Sequence, residues 1–106
     1  MMSTMTIAGR DVQIDDEGFM TDPSEWTEDL AEGLAKNIGI DSLTDEHWKV
    51  IRFLREDFEA QGESPGLRRI TTEIGVPTKE LFQLFPKKPG KKMSYVAGVP
   101  KPKGCI

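Results

Sequence analysis

The chain has 106 residues, 37% of them hydrophobic and 30% charged, with a formal net charge of −4 and a single cysteine. That length supports one domain around one core, and a lone cysteine excludes an internal disulfide. No run is long enough to span a bilayer and no basic-then-apolar leader opens the chain, which with the cysteine count leads us to expect a reducing cytoplasm.

Charge is distributed unevenly. Residues 1–80 hold all 18 acids and 8 of the bases, whereas residues 81–106 hold six lysines and no acid. The acidic body argues against general nucleic-acid binding. The basic tail is expected to fold back on the body or to meet an acidic or anionic partner.

Residues 5–14 read as a hairpin, because Met5, Ile7, Val12 and Ile14 alternate at period two around a Gly9-Arg10 turn. Phe19 and Met20 are expected to pack this hairpin onto the helices after it, since two strands alone are marginal. A first helix is predicted from Asp22 as cap and Pro23 at the first position, with Glu25 at capping-box spacing. Trp26, Leu30, Leu34 and Ile38 give it an apolar stripe, and Gly39 a C-terminal stop. The second helix, about Asp45 to Ala60, starts at a Thr44 cap. It carries Trp48, Ile51, Leu54 and Phe58 on one face, thickened by Val50 and Phe53, and should be central to the bundle.

Two short helices come next, near Pro65 to Ile74 and, capped by Thr78, near Thr78 to Phe85. The Gly75-Val76-Pro77 link between them has helix-turn-helix form. Lys79, Glu80 and Gln83 on the second helix supply one positive charge, which is thin for phosphate contact, so DNA is not the expected partner. Lys91 to Val96 has room for a further turn or two of helix. The remainder, 94–106, is read as an exposed C-terminal arm, kept out of regular structure by its prolines and glycines.

Little conventional chemistry is available. One histidine, His47, and one cysteine are too few for a structural zinc site, and His47 is expected on the surface or half-buried. Carboxylate pairs such as Asp15-Asp16 and Glu56-Asp57 fall on polar faces by pattern, and Gly9, Gly18, Gly33, Gly39 and Gly62 read as turn or helix-end residues. No metal or cofactor is expected. Cys105 stands apart, because cores seldom reach a terminal arm. Lys101 and Lys103 favour its thiolate, while the nearby carboxylate of Ile106 opposes it. With no second cysteine, its chemistry is intermolecular: mixed disulfide, thioether or persulfide. The alternative is a frayed tail with an inert thiol.

The segment Val96-Ala97-Gly98-Val99-Pro100-Lys101-Pro102-Lys103-Gly104-Cys105-Ile106 resembles the C-terminal arm of the DsrC/TusE family. Pro23 to Trp26, Glu46-His47-Trp48, Phe53-Leu54-Arg55, Ser64-Pro65 and Leu84-Phe85-Pro86 resemble further family stretches. The resemblance implies a mainly α fold: a small orthogonal helical bundle (22–85) with an N-terminal β-hairpin (5–14), a helix-turn-helix-like pair and a flexible arm (94–106), all in one domain, 1–106. It also implies that Cys105 carries sulfur, as a persulfide or as part of a trisulfide. Lys101 and Lys103 match arm positions, and Arg68 matches a basic position on the bundle that faces the cysteine. Implied partners are the donor and acceptor proteins of a sulfur relay, such as the one that thiolates tRNA, or the subunits of dissimilatory sulfite reductase. The contacts are expected to be transient, and the chain a monomer.

Two departures qualify the resemblance. DsrC proper has a second arm cysteine ten residues before the penultimate one, and that position here is Ser94. A serine cannot form the intramolecular disulfide of that redox cycle. TusE chains, conversely, usually have an insertion before the Leu84-Phe85-Pro86 stretch that is missing here. The chain thus resembles a one-cysteine DsrC paralogue with TusE-like chemistry. The alternative is a protein that docks on the reductase, or a regulator that binds DNA.

Overall fold

The computed structural model describes residues 3–102. Strands β1 (Ser3–Ile7) and β2 (Arg10–Ile14) pair antiparallel, with Met5 opposite Val12. Their turn is Ala8-Gly9 rather than Gly9-Arg10. Both residues have positive φ (52° and 76°), the mirror-image turn that suits a right-twisted hairpin, and Arg10 opens β2. As expected, the next segment ties the hairpin down. Met20 bridges to Ile14 and is buried with Val12, Leu30 and Leu34.

Gly33 makes the close approach between hairpin and helix possible. A Cβ there would lie 2.6 Å from Cγ2 of Ile7. It is therefore a mid-helix contact point, not the helix-end residue its spacing suggested.

The first helix is divided. Pro23–Glu25 forms a single 3-10 turn, capped by the Asp22 carboxylate accepting from the Ser24 N–H. Trp26 then adopts an extended conformation, and Thr27 caps α1 (Glu28–Asn37) by accepting from the Leu30 N–H. Glu25 does not complete a capping box; its carboxylate accepts from the Gln13 N–H of β2. Thr27 makes the better cap, and the break frees Trp26 to point elsewhere. Gly39 lies just past the helix end at φ 86°, as its position predicted.

Helix α2 (Asp45–Gln61) starts at Thr44 as expected, and Val50, Ile51 and Leu54 are fully buried. His47 is buried, not superficial, and closes a capping box. Its Nδ1 accepts from the Thr44 N–H at 3.0 Å, and its Nε2 lies 2.8 Å from the Leu84 carbonyl. A backbone N–H only donates and a carbonyl only accepts, so the imidazole is neutral with its proton on Nε2. Asp57 is likewise buried rather than on a polar face. It receives both Nε (2.8 Å) and Nη2 (2.7 Å) of Arg69, a two-pronged tie between α2 and the helix that follows it.

Helices α3 (Leu67–Ile74) and α4 (Thr78–Leu84) form the expected pair. Gly75 is left-handed at the end of α3. Pro77, not Thr78, occupies the cap of α4, and the Thr78 hydroxyl faces that of Thr71 at 3.5 Å. The lysine-rich segment exceeds its expectation most. It forms α5 (Pro89–Ala97), with Met93, Ser94, Val96 and Ala97 fully buried, packed against α1, α2 and α4. Proline at the first position suits a helix start, and Gly98 ends it at φ 70°. Residues 94–97 are therefore core, and the arm begins at Gly98. Among the described residues, no helix is long and apolar enough to cross a membrane.

Candidate functional site

The last described residues, from the end of α5 to Pro102, lie along the body and are gripped at four points. Trp26 supplies the first. Released from helix, its indole N–H donates to the Val96 carbonyl at 2.9 Å. Arg55 on α2 supplies the second: one guanidinium nitrogen donates to the Ala97 carbonyl (2.9 Å) and another to the Pro23 carbonyl (3.0 Å). The same guanidinium lies over the Trp26 ring, 4.2 Å from its centroid. Burial lowers the Arg55 pKa, with Glu59 opposing that shift, but a guanidinium remains charged, so both donors persist.

Further along, the Ser64 hydroxyl donates to the Pro100 carbonyl at 2.5 Å. Lys101 ion-pairs with Glu17 at 3.0 Å, with both side chains partly exposed. These four contacts differ in strength. Arg55 and Trp26 satisfy carbonyls at a helix end that would otherwise be orphaned, each contact worth about 1–2 kcal/mol. The Lys101–Glu17 pair is a surface contact worth about 0–1 kcal/mol. Val99 is fully buried between them, adding roughly 1.5–3 kcal/mol of apolar burial. The arm is thus held by buried contacts as far as Val99, and by the Ser64 hydrogen bond and a surface ion pair at Pro100 and Lys101.

Gly98 is required for this arrangement. At φ 70° a side chain is strained, and its Cβ would stand 2.4 Å from Cδ1 of Trp26. Ser94, the position of the missing second cysteine, is wholly buried on α5, and its hydroxyl has no hydrogen-bond partner among the described residues. Arg68 is exposed at the start of α3, four residues after Ser64 in sequence. It has no hydrogen bond or ion pair among the described residues, whereas its neighbour Arg69 is committed to Asp57. Lys103 and Cys105 lie outside the described residues.

The structure thus brings Lys101 to the body and leaves Arg68 exposed at the start of α3. Sequence reasoning did not foresee the roles of Trp26, Arg55 and Ser64. The available signal was an arginine in the middle of an otherwise apolar helix stripe, together with a glycine, Gly98, set directly after the apolar Val96-Ala97 pair.

The described residues thus form a helical bundle that clamps the base of its C-terminal segment. The profile of the DsrC-like protein family matches residues 6–106, and the chain belongs to that family. It is 32% identical over 105 residues to the gamma subunit of dissimilatory-type sulfite reductase from Nitratidesulfovibrio vulgaris, covering 99% of this chain and 100% of that one. It is 38% identical over 105 residues to sulfurtransferase TusE from Escherichia coli strain K12, covering 92% of this chain and 95% of TusE. Among solved structures it is similar to DsrC from Allochromatium vinosum, with TM-score 0.84 and 34% identity over the full length of both chains. The gamma-subunit alignment consumes nearly every residue of both chains. The TusE alignment, of equal length, consumes fewer residues of this one, consistent with extra residues in TusE.

Proposed function

We propose that this chain is a sulfur carrier, accepting a persulfide sulfur on Cys105 and passing it to a partner protein. The Cys105 thiolate attacks the outer sulfur of a donor's cysteine persulfide. The donor's S–S bond breaks, a new one forms on Cys105, and the donor leaves as its thiolate. An acceptor thiolate then repeats the step on the outer sulfur of Cys105. Two electrons shift at each exchange and none is lost, so no external oxidant is needed.

The observation that carries this reading is Ser94. The only cysteine of the chain has no thiol to resolve it, and the residue standing where one would be is sealed in the core. Chemistry at Cys105 is then intermolecular. Arg68, Lys101 and Lys103 are the basic residues we assign to its surroundings, favouring the thiolate or the persulfide anion. The chain works as a monomer, with transient contacts to donor and acceptor, in the cytoplasm.

The test is intact mass after incubation with a protein persulfide donor. Wild type is expected to gain one sulfur and Cys105→Ala none. Sulfur retained by Cys105→Ala, or absent from wild type, refutes the carrier role.

The gap-free match to a sulfite reductase gamma subunit favours a second reading, docking on such a reductase without closing a disulfide. Co-purification with reductase subunits that survives Cys105→Ser distinguishes docking from transfer.

A further inference from the structure

The segment Pro86-Lys87-Lys88-Pro89-Gly90-Lys91-Lys92 violates local preferences at every lysine. Lys87 and Lys88 have φ of 60° and 50°, a left-handed conformation rare for lysine. Lys91 and Lys92 sit in the first turn of α5, where the helix dipole is positive. That turn has no acidic residue and no side-chain cap. Lys92 donates to the Pro86 carbonyl and keeps its charge. Lys87, Lys88 and Lys91 have no ion pair among the described residues. Positive charge has been concentrated where the backbone disfavours it, and such conflicts cluster at functional surfaces.

Beside these lysines runs a groove of about 610 Å³ where the hairpin, the end of α1 and α5 converge. Met5, Phe19, Ile38 and Tyr95 form an apolar floor. Tyr95 is fixed by Asn37 donating to its hydroxyl and by the edge of Phe19, 6.3 Å away between ring centroids. Glu17 also lines the groove and is already held by Lys101.

We propose that this groove docks an acidic segment of a partner protein, with an apolar side chain on the Met5–Tyr95 floor and flanking carboxylates on Lys87, Lys88 and Lys91. Charge complementarity selects an anion and the floor selects an apolar anchor. A nucleic acid fits less well. The two aromatic rings meet edge to face and offer no stacking platform, and a long polyanion would run from the short lysine rim onto the acidic body. This docking is independent of the chemistry of Cys105.

The test uses the full chain carrying Cys105→Ala, so that thiol chemistry contributes nothing. The probe is a fluorescein-labelled synthetic peptide with leucine and phenylalanine between flanking aspartates and glutamates, followed by anisotropy. Saturable binding is expected, weakened at least about tenfold by the combined Lys87→Gln, Lys88→Gln and Lys91→Gln changes, and weakened by salt. These variants should melt no lower than the parent, since they remove charge opposed to the dipole, so lost binding is not unfolding. Met5→Asn should weaken binding without changing its salt dependence. The proposal is overturned by any of four results: no saturable binding, equal binding of the amide version of the peptide, tighter binding of a single-stranded oligonucleotide, or lysine-dependent self-association in place of peptide binding.

Discussion

The guanidinium of Arg55 lies 4.2 Å above the Trp26 ring and, from that position, donates to carbonyls from both ends of the chain, Ala97 and Pro23. One side chain thus joins the 3-10 turn, α2 and the base of the arm. Arg55→Lys keeps the charge but loses the planar fork and the stacking. It is expected to cost about 2 kcal/mol in denaturant unfolding. Limited proteolysis should show new cleavage between Gly98 and Pro102 at denaturant levels that leave the body intact.

Gly98→Ala tests the fit of the same joint from the other side. The substitution combines left-handed strain with a contact 2.4 Å from the indole. Together these are expected to cost about 3 kcal/mol, read as a drop in thermal midpoint. Adding Trp26→Leu to Gly98→Ala should recover part of the loss, because the steric component vanishes with the ring. Full additivity of the two losses would count against this account.

Ser94 carries a buried hydroxyl without a partner among the described residues, so removing it should help. Ser94→Ala is expected to raise stability by about 1 kcal/mol, measured by urea unfolding. Ser94→Cys on a Cys105→Ala background should fold normally and resist a water-soluble thiol reagent until denaturant opens α5. Rapid modification under native conditions would mean that the end of α5 opens readily, and that position 94 is reachable after all.

Asp22 gives a pH signature. The Ser24 hydroxyl and backbone N–H hold its carboxylate pKa below the ordinary value of 3.8. A carboxylate whose pKa is lower folded than unfolded contributes stability above the unfolded value and loses it as pH falls through the folded one. The difference in thermal midpoint between wild type and Asp22→Ala should therefore be full near neutrality and shrink to nothing in strong acid. A difference that stays constant across that range would assign the effect to something other than this cap.

The sequence made the hairpin, α2, the α3–α4 pair and the family legible because each rests on a local pattern: alternation at Met5 to Ile14, the Thr44 cap, and glycines at helix ends. The concealed features depend on contacts distant in sequence. Trp26 looked like the first member of a helical stripe, yet its partner is the Val96 carbonyl, 70 residues away. His47 looked superficial because its acceptor belongs to Leu84. Asp57 looked solvated because the burying partner, Arg69, sits on another helix. Most of α5 was hidden by its composition, since lysines, prolines and glycine at its start outweigh the apolar Met93, Val96 and Ala97 that bury it. Of the site, Cys105, Lys101, Lys103, Arg68 and Ser94 could be nominated from residue type and resemblance. The clamp of Trp26, Arg55 and Ser64 could not.

The graded strength of that clamp sets a tether with two lengths. An extended chain advances at most about 3.6 Å per residue. While Lys101 remains paired with Glu17, Cys105 is four residues beyond the last described anchor, a span of no more than about 14 Å. If the outer contacts of Lys101 and Ser64 both release while Val99 stays buried, the described anchor lies six residues back and the limit grows to about 22 Å. A partner that competed for both Glu17 and Ser64 would thereby lengthen the tether by about half. The state of those two contacts then sets how far from the body the thiol can be reached.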